Sequence, residues 1–150
     1  MGALLLSHGL VTWGLVAVIW FVQVVHYPLF AAVGLESFAR YEALHTSRIS
    51  LIVVPLMIAE LAGAAALALS PEALPFSSRA ERGLGLALVL AVWASTFFLS
   101  VPEHARLAGG FDAEAHGRLV RTNWVRTALW SARGLLVTGW LWRSLEDASA

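Results

Sequence analysis

The feature that most constrains this chain is the length of its charge-free stretches. No Asp, Glu, Lys or Arg occurs before Glu36, and none lies between Arg82 and Glu103. Between Arg48 and Glu72 the only charge is Glu60, and between Arg126 and Arg143 the only one is Arg133. A helix needs roughly 20 apolar residues to cross a hydrocarbon core about 30 Å thick, and each stretch has that room. The pattern predicts an all-α, polytopic four-transmembrane-helix bundle with spans near 5–27, 48–69, 83–102 and 123–143, forming one integral membrane domain over 1–150. Composition agrees: 59% of the residues are hydrophobic and 13% charged, whereas about a quarter of a soluble domain is charged.

The ten basic residues are all Arg and balance ten acidic ones. Zero net charge gives no bulk attraction to nucleic acid, so the expected partner is the lipid bilayer. With no Cys, disulfides, thiolate metal sites and iron–sulfur clusters are excluded. The N-terminus has no basic residue ahead of its apolar run and no small-residue cleavage site, and is read as a retained helix. Four crossings place both termini on one side. The loops 31–48 and 103–126 carry six Arg against three on the other side. The excess predicts an inner-membrane protein with cytoplasmic loops and external termini.

Local signals refine the boundaries. Phe38, Tyr41, His45, Ile49 and Ile52 recur at helical spacing, so the second helix should begin near Glu36, before its span. Pro71, Pro75 and two serines mark a turn between two hairpins. Gly109-Gly110 breaks the chain, Asp112 can cap a helix, and no Pro follows before Arg143. Pro28 and Pro55 are expected to end or kink their helices, and Pro102 to distort the last turn of its own.

A charge at the bilayer midplane costs about 3 kcal/mol or more, so intramembrane charges mark function or specific packing. Glu60 and Arg133 have complementary signs at compatible depths. They form either an ion pair that fixes helix packing or a catalytic relay or substrate clamp. Gln23, Asn123 and Arg126 lie on the polar stripes of the first and fourth helices and are expected to line a pocket. His26, His45, His104 and His116 fall at the four helix ends of the predicted cytoplasmic side, with Tyr41, Glu42, Glu103 and Asp112 nearby, while His8 lies at the other end. Imidazole is the commonest protein ligand for Zn, Fe and Cu. These four are therefore metal candidates, for a mononuclear site or for haem held by two of His26, His45 and His104. Glu42-x-x-His45 has the spacing used in di-iron bundles, but the second such motif is missing. Interfacial histidines also bond loop backbones and headgroups, which is the plainer reading. Trp93 and Trp130 are assigned to core packing.

His26-Tyr27-Pro28 closing the first span, Tyr41-x-x-x-His45 before the second, Pro55 and Glu60 within it, and Asn123-Trp124-x-Arg126-Thr127 opening the fourth form a pattern. It resembles small four-helix bacterial integral membrane proteins of unassigned function and, loosely in architecture, the anthrone-oxygenase-like membrane proteins. The resemblance implies the topology and carries no active site.

Three functions fit the sequence. One is a membrane redox protein or enzyme with a metal ion or haem on the histidines, Glu60 and Arg133 serving as relay or clamp. The second is a small proton-coupled transport protein, expected to be a homo-oligomer because one four-helix protomer is small for alternating access. The third is an accessory or assembly subunit whose polar seam only specifies packing. Metal analysis and an absorption spectrum of the purified protein separate the first from the others.

Overall fold

The computed structural model describes residues 2–149, and among them it is helical nearly throughout, with no strand. Four long helices account for it: α1, Ala3–Ala32; α2, Leu35–Leu69; α3, Arg79–Leu107; and α4, Ala113–Ser149. α1, α2 and α3 are long and apolar enough to cross a membrane. α4 has the length, and the two charges in its middle, Arg126 and Arg133, are turned inward and buried. The outer surface is apolar, with Leu10, Leu51, Leu69 and Phe98 all more than two-thirds exposed.

The connections follow the local sequence. Only Val33-Gly34 separates α1 from α2, which starts at Leu35 as its amphipathic lead-in predicts. At about 1.5 Å per residue, the 35 residues of α2 span roughly 50 Å, well over the roughly 30 Å of a hydrocarbon core, and its charges other than Glu60 all lie in Leu35–Arg48. A single 3-10 turn, Pro71–Ala73, lies between α2 and α3, and Ser78 with Glu81 forms a reciprocal capping box at the start of α3. Gly110, with φ +133°, turns the chain into α4. The Asp112 carboxylate caps α4, accepting from the Glu114 and Ala115 amides at 2.9 and 3.0 Å. Those amides, Ala115 first, and the Arg106 guanidinium hold the Asp112 carboxyl below its ordinary range.

The prolines act less uniformly than expected. Pro55 does not end its helix, and α2 runs on to Leu69. Pro28 and Pro102 each follow a π-helical turn, Val22–His26 in α1 and Thr96–Ser100 in α3. A proline has no N–H for the carbonyl four residues back; the wider turn absorbs the lost bond and re-aims the residues around it, and such turns concentrate at functional sites.

The helices form a ring in which α1 contacts α2 and α4, and α3 contacts α2 and α4. Three apolar layers fill it. Leu5, Leu67, Leu74, Val137 and Trp140 lie at the end carrying the termini; Leu15, Ile19, Met57, Val92 and Trp130 lie midway; Tyr27, Phe30, Phe38, Leu107 and Leu119 lie at the opposite end. Polar side chains pack between these layers. Two glycines make room for one such group: a Cβ at Gly63 would sit 2.5 Å from His8 Nδ1, and one at Gly85 would meet the Arg133 guanidinium and lie 2.7 Å from the Trp140 ring. Gly83, two residues away, faces open space. Gly63→Ala and Gly85→Ala should therefore each destabilise the protein by about 1–3 kcal/mol through overpacking. Gly83→Ala should stabilise it by up to about 1 kcal/mol through helix propensity. Thermal unfolding in detergent checks the opposite signs.

Candidate functional site

The layer between the middle and the Gly110 end holds a continuous hydrogen-bonded chain. Gln23 Nε2 donates to the Val120 carbonyl, and Asn123 Nδ2 donates to Gln23 Oε1 at 2.8 Å. Asn123 Oδ1 accepts from Arg126 Nε at 2.9 Å, and Arg126 Nη2 donates to the Tyr27 hydroxyl at 3.2 Å. Tyr27 Oη lies 2.9 Å from His104 Nε2, and His104 Nδ1 lies 2.5 Å from Glu42 Oε1. A guanidinium only donates, so the Tyr27 oxygen accepts from Arg126. With Glu42 ionised, His104 donates its Nδ1 proton to that carboxylate, and a neutral imidazole then accepts the Tyr27 proton at Nε2. Glu42 is fully buried, and its second oxygen has no protein partner.

Two π-turns position the participants. His26 closes the turn in α1 with Tyr27 immediately after it, and Ser100 closes the turn in α3 one helical turn before His104. His26 Nε2 and His45 Nδ1 lie 2.8 Å apart, one donating to the other, and the His45 ring stacks on His104 with centroids 5.4 Å apart. Six residues of one site thus come from four helices: His26 and Tyr27, Glu42 and His45, His104, and Arg126.

Beside this cluster a cavity of about 530 Å³ runs between α2 and α3, with α1 and α4 behind it. Its walls are Leu15, Val22, Ile49, Val53, Met57, Trp93, Phe97 and Trp130, with Tyr27, His45, Ser100, His104 and Arg126 among its polar lining. Contacts between α2 and α3 concentrate on the Arg79–Ser95 half of α3, and the cavity opens where they thin out. Arg126 is buried and, among the described residues, has no carboxylate within 4.0 Å. Ser100 is 2% exposed, and its hydroxyl has no partner. The buried helical hydroxyls of Ser95 and Thr127 bond back to a carbonyl of their own helix, and that of Ser100 does not.

The expected residues divide. Arg126 lines the cavity, while Asn123 holds its guanidinium and Gln23 in turn holds Asn123. His26, His45 and His104 gather, but His116 lies apart, its Nε2 donating to the Tyr27 carbonyl at 2.8 Å. Among the described residues no three His, Asp or Glu side chains are arranged to hold a metal ion. Glu60 and Arg133 occupy the same polar layer but do not pair. Glu60 Oε2 accepts from Trp130 Nε1 at 2.9 Å, and Arg133 Nη2 donates to His8 Nε2. The Arg133 guanidinium also lies 5.1 Å from the Trp140 ring centroid. His8, at the opposite end from the other histidines, is the partner of Arg133. Trp130 proves to be a hydrogen-bond donor as well as core. Tyr27, the centre of the chain, carries no signal beyond its place at the end of an apolar run.

If Glu42 and His104 act as one unit, their alanine substitutions should be non-additive. A double-mutant cycle should return a coupling of about 1–3 kcal/mol, and simple additivity in chemical unfolding would argue that the short contact contributes nothing. Compared with known proteins, the chain matches no family model, no curated protein and no solved structure, so the reading of the site rests on its geometry.

Proposed function

We propose that this is a four-span inner-membrane protein that takes an amphiphilic molecule from the bilayer and exchanges a proton at its head group. One observation carries the proposal: an apolar cavity between two helices ends against the directional chain Arg126, Tyr27, His104 and Glu42. Apolar walls with a few convergent polar groups are the usual make-up of a small-molecule site. Along α2 the lining runs from His45 to Met57, roughly 18 Å at helical rise, close to the roughly 15 Å hydrocarbon depth of one leaflet. A ligand seated there lies parallel to the lipids, its tail toward Trp130 and its head at His45, His104 and Arg126.

The chemistry follows from the direction of the chain. A proton leaving the head group enters at the Tyr27 oxygen while the Tyr27 proton moves to His104 Nε2, and the Glu42 carboxylate offsets the imidazolium that forms. The reverse sequence returns a proton. Four spans fit because α4, the least apolar helix, turns Arg126 and Arg133 inward. The excess of Arg on the loops next to this site supports a cytoplasmic mouth with external termini. Because the chain has no native cysteine, Ala108→Cys should react with an impermeant maleimide only from the cytoplasmic side; reaction from outside reverses the orientation.

The binding itself is tested by native mass spectrometry of protein released from lipid nanodiscs. Wild type should retain one amphiphile, Tyr27→Phe should retain it too, and Val53→Trp, which fills the cavity, should release it. Equal adducts on wild type and Val53→Trp, or none on either, would remove the basis of the proposal.

A further inference from the structure

Resting on that amphiphile reading, we infer that the head group is the carboxylate of a single long apolar chain, and that one proton enters the site with it. The head end of the cavity offers an unpaired guanidinium N–H and an unpaired hydroxyl. Arg126 uses Nε and Nη2 on Asn123 and Tyr27, which leaves Nη1 without a protein acceptor. The Ser100 hydroxyl, 2% exposed, is likewise unpartnered. The hydroxyls of Thr46, Ser50 and Thr96, also on the cavity lining, already donate to carbonyls of their own helices. A head group placed against a buried guanidinium without a carboxylate, with a free hydroxyl on the same lining, is best matched by an acceptor. Charge-assisted bonds from arginine make a carboxylate the strongest such acceptor. A cationic or purely donating head leaves the guanidinium unsatisfied. The cavity is about as long as one leaflet is deep, and at about 530 Å³ it suits one chain.

Charge balance brings in the proton. In the resting chain Arg126 and Glu42 cancel across Tyr27 and His104. A carboxylate added beside Arg126 leaves the buried site one negative charge in excess, which burial penalises heavily. His104 is the group placed to take up the balancing proton. It faces Tyr27 and His26 from α1, Glu42 and His45 from α2 and Arg126 from α4, and its Nε2 lies at the end of the route through Tyr27. The proton bonds to Nε2, the Tyr27 hydroxyl turns toward the ligand oxygen, and the imidazolium rests against the Glu42 carboxylate. No electron moves and no covalent bond of the ligand changes.

The test uses full-length protein in nanodiscs of neutral lipid, titrated with tetradecanoate, tetradecanol and tetradecyltrimethylammonium. Tetradecanoate should bind at least about tenfold more tightly than either of the others, the difference expected from one hydrogen bond to a charged group. Arg126→Gln should remove that preference, and Ser100→Ala should reduce it. The comparison among ligands on wild type stands even if Arg126→Gln does not fold. Calorimetry in two buffers of different ionisation enthalpy should show close to one proton taken up per tetradecanoate. Equal affinity for the alcohol and the carboxylate overturns the head-group assignment while leaving the amphiphile reading intact. Tight carboxylate binding without proton uptake overturns the coupling. Failure of all three ligands to bind, with Val53→Trp indistinguishable from wild type, overturns both.

Discussion

The structure depends on a reversal of the usual relation between surface and interior. Its outer face is apolar, so polar side chains on α1–α4 have nowhere to go except against one another. A buried polar group without a partner costs on the order of 1–3 kcal/mol, and this sets which helix faces meet. Gln23 fixes α1 against α4 through Asn123, Trp130 fixes α4 against α2 through Glu60, and Glu42 fixes α2 against α3 through His104. The apolar layers fill the space between these contacts. Ion pairs of Arg143 with Glu81 and of Arg118 with Glu103 then close the α3–α4 edge at both ends.

Much of this was legible in the chain. The charge-free stretches located the helices, and the lead-in to α2 and the Asp112 cap were readable because spacing and capping are local. Connectivity put His26, His45, His104 and His116 at one end of the bundle, since two antiparallel hairpins bring those ends together, but it did not tell that only the first three would meet while His116 bonds the Tyr27 carbonyl. Pairing was not legible. Complementary signs suggested Glu60 with Arg133, yet the fold partners them with Trp130 and His8, because what a buried group contacts depends on helix rotation to within tens of degrees. Pro28 and Pro102 were visible, but their effect was not: a π-turn rotates every later residue relative to the earlier part of its helix, so Ser100 and His104, neighbours at i and i+4, are turned together relative to Trp93. Tyr27 could not be ranked above other aromatic residues until its three neighbours were in place.

Two kinds of polar site emerge. At the His8 level, glycines admit bulky groups into a tight interior, and several atoms, among them Thr12 Oγ1, Glu60 Oε1 and Arg133 Nε, have no partner. At the Tyr27 level the polar groups border open space. The first arrangement resembles a packing device in which any added methyl group is felt, while the second has a chain of donors and an entrance. Trp130 connects them, with its indole on the cavity wall and its N–H on Glu60.

The short Val33-Gly34 connection and the longer 70–78 segment lie at opposite ends of the molecule. Helices joined at one end are tethered there and free at the other, like the arms of tweezers. α2 and α3 share the 70–78 tether, and at their other ends no loop bridges them. A small pivot about the tether widens the mouth by several times the displacement at its base, while the Glu42–His104 contact acts as a latch across the tips. A proton on His104 tightens that latch against the Glu42 carboxylate, so the proton that accompanies a ligand also fastens the tips around it.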